Sequence, residues 1–454
     1  MAREYRDSGI EWIGQIPKEW EVPRLKNVAE LHGRIGWNGL RSDEFEENSY
    51  AYLVTGQDFK TSEIVWNNCY QIRKERYDED PFIQLHNGEI LVTKDGTIGK
   101  IAIVSKMDKP GCLNSGIFVL RQKIDAFAPK YLYWQLYSTL LKTYNDYMNL
   151  GGTTIVHLYQ NVFERMPLLA PSISEQQKIA DYLDKVCGEV DEMVTLQETM
   201  IEELKAYKQS VITEAVTKGL NPRSASPLGS SKNVPMRNSG IDWIGEIPEH
   251  WKLAPLKYCF CRRSEKNNPV KTEERLSLSI DKGVTLYSEK TTNLDRFKDD
   301  FTQYQLAYPN DIVLNCMNMI VGAVGLSNYM GCVSPVYYVI YPVRQDINPL
   351  YYSYLLNIPT IRGVYYSLGK GIYAIERGEG RVNTCRLKVA YNDFGRLNIP
   401  VPPLEEQKEI TRFIQQKCSE IDFLIALKQA KIEELKEYKK SVIYEYVTGK
   451  KEVI

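Results

Sequence analysis

The chain has 454 residues, of which 43% are hydrophobic and 25% charged. That length is room for about three ordinary globular domains. The 57 Lys and Arg residues are offset by 58 Asp and Glu, leaving a net charge of -1, so no global basicity points to a nucleic-acid partner. Met1 to Asp7 is polar, and no run approaches the ~18 apolar residues of a membrane span, so a cytoplasmic protein is expected. The nine cysteines are scattered, the closest pair (Cys259, Cys261) lacks zinc-type spacing, and the four histidines (His32, His86, His157, His250) lie far apart. Neither a disulfide framework nor a metal site is expected.

The chain repeats itself. Asp7-Ser8-Gly9-Ile10-Glu11-Trp12-Ile13-Gly14-Gln15-Ile16-Pro17 matches Asn238-Ser239-Gly240-Ile241-Asp242-Trp243-Ile244-Gly245-Glu246-Ile247-Pro248 at an offset of 231, and Trp20 matches Trp251. Ile201 to Ile212 matches Ile432 to Ile443 at the same offset. Between these ends the copies diverge. Pro129-Lys130-Tyr131 parallels Pro349-Leu350-Tyr351 at an offset of 220, and an extra 11 residues around Gly369 to Arg386 restore the register. A shared frame carrying two different readers has this pattern.

In chain order, residues 1–165 alternate apolar runs with turns. Glu89–Thr93 and Lys100–Val104 predict strands flanking the turn Asp95-Gly96-Thr97-Ile98-Gly99. Cys112–Leu120 predicts one further strand, and Pro129–Tyr147 one aromatic-rich helix with proline in its first turn. Residues 238–395 repeat this outline.

Each mixed part leads into a long helix. Ile179, Leu183, Val186, Val190, Met193, Gln197, Met200, Leu204, Tyr207 and Val211 follow a 4-3 spacing. Their counterparts are Ile410, Ile414, Lys417, Ile421, Leu424, Lys428, Lys431, Leu435, Tyr438 and Val442. This is a heptad seam, with Ser174 and Gln177 placed as a capping box. Glu175 to Thr217 makes a rod of about 65 Å. The length and the unbroken seam favour pairing of the two rods over separate surface helices. Asn221 to Pro235 has linker composition. The division read from these features is 1–165 mixed, 166–220 helical, 221–237 linker, 238–395 mixed and 396–454 helical. The expected fold is mixed α/β of the α+β type: two globular domains on two long helices that form an antiparallel coiled coil, in a pseudo-twofold tandem repeat that holds the domains at opposite ends.

Motifs for chemistry fail one by one. No G-x4-G-K-[ST] occurs; the nearest, Gly363 to Gly369-Lys370, has wrong spacing and no hydroxyl. No G-x-G-x-x-G follows a strand, and no G-x-S-x-G elbow is present. Glu203-Leu204-Lys205 and Glu434-Leu435-Lys436 resemble a nuclease motif but lie on the rods, as solvated faces. Asn348-Pro349-Leu350-Tyr351 is similar to the Asn-Pro-Pro-aromatic loop of amino-methyltransferases, but its copy Ala128-Pro129-Lys130-Tyr131 reads as a helix start. No catalytic residue is assigned.

What remains is recognition. Residues 1–165 carry 20 basic and 22 acidic side chains, 166–220 carry 5 and 10, 221–395 carry 21 and 16, and 396–454 carry 11 and 10. The second mixed domain is therefore mildly basic and the first rod acidic. Basic and amide residues cluster in loops. In the first module these are Arg34, Trp37 and Asn38, then Lys94, Thr97 and Lys100, then Gly152, Thr153 and Thr154. In the second they are Arg262, Arg263, Lys266 and Asn267, then Asn315 and Asn318, then Lys370, Tyr373, Arg377 and Arg381. Arg and Asn suit base edges, and Lys with glycine-rich backbone suits phosphate. Taken singly, each of these also fits an ordinary solvated loop.

Several segments together resemble a known family. They are Asp7 to Trp20 and its copy, Glu89 to Lys100, Leu150-Gly151-Gly152-Thr153-Thr154, and Pro167 through Ile179 with the copy Pro402-Pro403-Leu404-Glu405-Glu406-Gln407. The chain resembles the specificity subunit of type I restriction–modification systems over nearly its whole length. The resemblance implies two target recognition domains, each reading one half of a bipartite site in double-stranded DNA, with the rods as a ruler. It implies two modification subunits that carry S-adenosylmethionine and methylate adenine N6, and restriction subunits that use ATP and Mg. It implies no cofactor in this chain. The second module departs from the pattern at Met317-Asn318-Met319-Ile320-Val321-Gly322 and at Leu368-Gly369-Lys370-Gly371-Ile372-Tyr373, so its half-site is expected to differ. Open alternatives are a self-contained DNA methyltransferase and a coiled-coil adaptor with no DNA role.

Overall fold

The computed structural model describes the chain apart from residues 1–2, 35–39, 61, 124–126, 149–156, 221–233, 290–299, 373–375, 378–380, 383–385 and 454. Two compact units emerge: Met1–Glu198 with Gln429–Ile454, and Thr199–Lys428. The units do not follow the linear division of the sequence. Each takes the first or the last part of one rod together with the complementary part of the other.

The first unit holds a four-stranded antiparallel sheet in the order Ala29–His32, Ile117–Gln122, Ile90–Thr93, Ile101–Ile103. The central strand Ile90–Thr93 is buried along its length, as an all-apolar run of that size requires. One face of this sheet packs with Trp20, Tyr131, Leu168 and the first turns of the rod; the other packs on a second core with Leu53, Ile72, Cys112 and Val104. That second core carries the sheet Gly111–Leu113, Ala51–Val54, Tyr70–Ile72, in which the first pair is parallel.

The second unit repeats the four-stranded order with Phe260–Arg262, Tyr337–Pro342, Ile312–Asn315 and Val324–Leu326. The frame has thus survived where the sequences no longer align. Its satellite sheets differ: Leu276–Ser279 pairs with Gly283–Leu286, and Gln305–Ala307 with Gly331–Val333.

Three sequence readings are corrected. Cys112–Leu120 is not one strand; Gly111–Leu113 and Ile117–Gln122 lie in different sheets, separated at Asn114-Ser115-Gly116. Pro129–Tyr147 is not one helix; Pro129–Tyr137 and Thr139–Met148 break at Ser138, whose backbone is extended and whose hydroxyl accepts from Leu140 N at 3.3 Å. The first rod is capped by Ser172 rather than Ser174, with Ser172 Oγ accepting from Glu175 N at 3.3 Å.

The rods are single helices, Ile173–Lys218 of 46 residues and Leu404–Val447 of 44. Both end in a left-handed glycine, Gly219 (φ 75°) and Gly449 (φ 69°). A Cβ at Gly449 would lie 2.5 Å from the Pro17 ring, and one at Gly219 3.2 Å from Trp251, so only glycine fits the ends. In each unit the rod segments run antiparallel: Lys439 Nζ meets Asp191 in the first, and Lys208 Nζ meets Asp422 in the second, all at 2.7–2.8 Å. Each rod begins with a buried glutamine that staples it to its own module. Gln176 Oε1 accepts from Ala128 N and Gln407 Oε1 from Asn348 N, both at 2.8 Å.

The seam is offset from the sequence reading at Met193, Tyr207, Leu424 and Tyr438. Ile179, Leu183, Val190, Ile410, Ile414, Ile421, Leu435 and Val442 are buried, and Val186, Leu204 and Val211 half-buried. Met193, Tyr207, Leu424 and Tyr438 instead face outward, each about half exposed. Their places are taken by the next residues, Val194, Lys208, Ile425 and Lys439. The two lysines sit in the seam because each meets a carboxylate of the opposing rod.

Candidate nucleic-acid interface

In the first module the turn after the central strand is built by Thr93. Its hydroxyl donates to Thr97 O and accepts from Lys100 N at 2.9 Å. Gly96 and Gly99 occupy left-handed backbone at φ 69° and 77°, which explains the glycines of the motif. The turn leaves Thr97 exposed. Asp95 Oδ1 meets His157 Nδ1 at 2.8 Å, and Lys94 O accepts from Leu158 N, so the chain leaving the Gly-Gly-Thr-Thr segment is tied to this turn.

The lysines flanking the turn are held. Lys94 Nζ lies 4.9 Å above the Phe118 ring, and Lys100 Nζ donates to Gly56 O at 3.0 Å. Both side chains are half-buried, so each presents only part of its charge outward.

Arg34 is not a surface residue. It is 2% exposed, donating from Nε to Leu113 O at 3.1 Å and approaching Cys112 Sγ at 3.7 Å. Burial pushes the Cys112 thiol up to about 11 despite the guanidinium beside it. Trp37, Asn38, Gly152, Thr153 and Thr154 lie outside the described residues.

In the second module Arg263 and Asn267 also turn inward. Arg263 grips the buried carboxylate of Asp311 through Nε at 2.7 Å and Nη2 at 2.9 Å, with Tyr308 and Tyr341 each 4.6 Å from its guanidinium. The Asp311 hydrogen bond raises the pKa of Arg263 further. Asn267 is fully buried; Nδ2 donates to Thr272 O at 2.8 Å and lies 3.2 Å from Cys332 Sγ, while Oδ1 accepts from Lys271 N at 2.7 Å. Asn315 is buried and accepts from Met317 N at 3.1 Å, shaping the turn that replaces the glycine turn of the first module. All three side chains are held by hydrogen bonds within the protein.

Arg262, Lys266, Asn318 and Lys370 are exposed. Arg262 is braced on two rings, 4.9 Å from Tyr338 and 5.5 Å from Tyr391. Arg377 and Arg381 are opposed in a short antiparallel ladder, and Tyr373 lies outside the described residues. Lys388, which the sequence reading missed, is exposed and opposes Lys370 across an antiparallel pair. No local motif could reveal it, because the pairing joins positions 18 residues apart. Among the described cations of these two loop sets, the exposed ones, Arg262, Lys266, Lys370 and Lys388, all belong to the second module.

Comparison with known proteins gives one consistent answer. The family model for the Type I restriction modification DNA specificity domain matches residues 17–206. The putative type I restriction enzyme MjaX specificity subunit of Methanocaldococcus jannaschii is 23% identical over 452 residues, covering 96% of this chain and 95% of that one. The EcoBI specificity subunit of Escherichia coli is 22% identical, covering 91% and 82%. Among solved structures, a chain from a study of complex assembly and conformational transition of the type I R-M system superposes with a TM-score of 0.64 at 16% identity, over 96% of this chain and 99% of that one. The HsdS subunit from Thermoanaerobacter tengcongensis gives 0.50 at 15% identity, over 96% and 98%. With its duplicated sheet frame and paired rods, the chain is similar over nearly its whole length to type I restriction–modification specificity subunits.

Proposed function

We infer that this chain is the sequence-reading subunit of a type I restriction–modification complex. Each module reads one half of a bipartite, asymmetric DNA target, and the rods fix the spacing at about one helical turn, ~34 Å. The observation that carries this reading is the pair of four-stranded sheets of identical strand order that bear different loops. A duplicated frame with diverged readers suits one duplex read at two unlike half-sites.

The chain itself does no chemistry in this reading. Two modification subunits bind S-adenosylmethionine and methylate adenine N6 on a base flipped from the stack. Restriction subunits supply ATP- and Mg-dependent cleavage. The complex works in the cytoplasm; no helix among the described residues is long and apolar enough to cross a membrane.

The rods supply a surface for those partners. The first unit exposes Met193, Leu196 and Tyr438, and the second exposes Leu424, Leu427 and Tyr207. These are the same positions of the repeat, as two copies of one partner require.

The test is a genome-wide map of N6-methyladenine with the gene intact and deleted. Loss of a single split motif on deletion is the expected result. An unchanged methylome in a cell that expresses the modification subunit overturns the reading.

A further inference from the structure

Within the first unit a cleft of about 930 Å³ opens between the mixed module and the rods. Its floor is apolar, made by Ile98, Leu136, Leu141, Val190, Val194 and Ile443. These side chains come from the glycine turn, from the helices Pro129–Tyr137 and Thr139–Met148, and from both rods. A cleft of this size and lining suits a small organic ligand.

The mouth is charged. Lys142, Lys436, Lys439 and Lys440 line the cleft together with two carboxylates, Asp146 and Asp191. Lys439 Nζ is held by both oxygens of Asp191 at 2.7 Å and lies 5.7 Å above the Tyr137 ring. Lys436 and Lys440 meet exposed glutamates of their own rod, Glu433 at 3.0 Å and Glu437 at 2.6 Å, pairs that contribute little in water. Lys142 is exposed and makes no ion pair among the described residues. With Lys439 and Asp191 offsetting each other, three lysines and one aspartate remain above an apolar floor.

The second module shows how the same corner is closed. Gly322 (φ 100°) stands two residues before the strand Val324–Leu326, as Gly99 (φ 77°) stands before Ile101–Ile103. Arg362 holds the place of Lys142, at the offset of 220 that relates Pro349 to Pro129. Its guanidinium lies against Gly322, where an added Cβ would be 2.7 Å from Cζ, and its Nη2 donates to Asn357 Oδ1 at 3.0 Å. At Gly99 the nearest atom to an added Cβ is Leu141 Cδ2, at 3.7 Å. The shared frame can therefore fill this corner with its own side chain. The first module leaves it open, with Lys142 turned out to solvent.

Apolar walls favour an apolar body, and ammonium groups on flexible stems favour an anionic head as point charges. No histidine or cysteine is among the lining residues, and the Ser138 hydroxyl is engaged, donating to Gln135 O at 2.6 Å. The cleft is fitted to hold a molecule rather than to react with it. We propose that it binds a small amphipathic anion, with Lys142, Lys436 and Lys440 at the anionic head and Leu141, Val190 and Ile443 along the apolar body. The site does not depend on the DNA reading inferred above.

Calorimetric titration of the purified full chain tests the site. The probes are decanoate and decyl phosphate below micelle formation, which distinguish a carboxylate from a phosphate head, and uncharged decanol. One site per chain is expected, with a Kd on the order of 10–100 µM for at least one anion. Decanol is expected to bind roughly tenfold more weakly than that anion. K142W places an indole across the mouth and is expected to abolish saturable binding, with a melting temperature within a few degrees of wild type. K142E/K440E keeps the cleft open; it is expected to bind the anion roughly tenfold more weakly and decanol unchanged. No saturable heat with either anion overturns the site. So does decanol binding as tightly as the anions, or uptake of several molecules per chain that K142W does not alter. Saturable binding to the free chain that disappears in the complex with the modification subunit also overturns it, and makes the cleft a protein interface.

Discussion

Arg34 Nε donates to the carbonyl oxygen of Leu113 at 3.1 Å, deep in the first module, and the same side chain reaches Cys112 of that strand. The second module does the same with a different residue: Asn267 turns in against Cys332, which occupies the corresponding strand Gly331–Val333. In both modules the chain leaving the first strand of the four-stranded sheet crosses a buried cysteine and pins itself there with a polar side chain. Arg34→Ala is therefore expected to lower stability by about 3 kcal/mol, since it leaves a buried carbonyl without its donor. Urea unfolding of the purified chain measures this. A variant of unchanged stability that binds DNA weakly would return Arg34 to the interface.

Asn267→Ala removes a donor to Thr272 O and an acceptor for Lys271 N at one buried point. A loss of about 3 kcal/mol is expected, larger than for a surface amide. Thermal melting of the variant, alone and in complex, checks it. A shift within the surface range of about 0.5 kcal/mol would show that the loop re-forms its bonds elsewhere.

The rods meet through Lys439–Asp191 and Lys208–Asp422 as well as through apolar residues. The two ion pairs are partly exposed, so each is worth about 1 kcal/mol or less. The apolar positions dominate, and Leu435 is 8% exposed with Leu204 half-buried. Leu204→Lys with Leu435→Lys is expected to decouple the two readers. Methylome sequencing of a strain carrying the double variant reads this as loss of the fixed spacer; retention of the same spacer would refute the ruler.

Met193 and Leu424 are about half exposed and hold equivalent positions of the repeat. Met193→Glu with Leu424→Glu is expected to leave the melting temperature within a few degrees and weaken co-purification of the modification subunit at least tenfold. Co-purification at wild-type yield would move the partner surface elsewhere.

Burial pushes the thiols of Cys112 and Cys332 up to about 11 from an ordinary 9.0. Their folded pKa lies above the unfolded one. The stability they contribute is therefore complete below about pH 9 and is lost as pH rises through about 11. Between pH 8 and pH 10.5 the unfolding free energy is expected to fall more in the wild type than in Cys112→Ala with Cys332→Ala. Equal losses would assign the alkaline sensitivity to other groups.

Much of this molecule was legible in the sequence because duplication writes the same instruction twice. The segments ending at Trp20 and Trp251, the glutamines at the rod starts and the rods themselves recur in matched copies. Period and length suffice to predict a helix of this kind. The central strands Ile90–Thr93 and Ile312–Asn315 were legible as short apolar runs beside turn signals.

The site was far less legible. Arg34, Arg263 and Asn267 read as surface cations and amides because composition assigns a charge to a loop but not a direction to a side chain. Only packing shows that Arg263 faces the buried Asp311, or that Lys370 stands opposite Lys388. The outward turn of Tyr207 and Tyr438 has the same origin: two adjacent residues can each complete a 4-3 spacing, and the opposing carboxylates Asp422 and Asp191 select the lysine phase. Local periodicity and repetition are properties of the chain taken alone, so the sequence by itself determined the repeat, the rods and the family resemblance. Side-chain direction, strand pairing at long separation and the exchange of rod segments between units depend on contacts between distant residues, and those the tertiary structure alone decided.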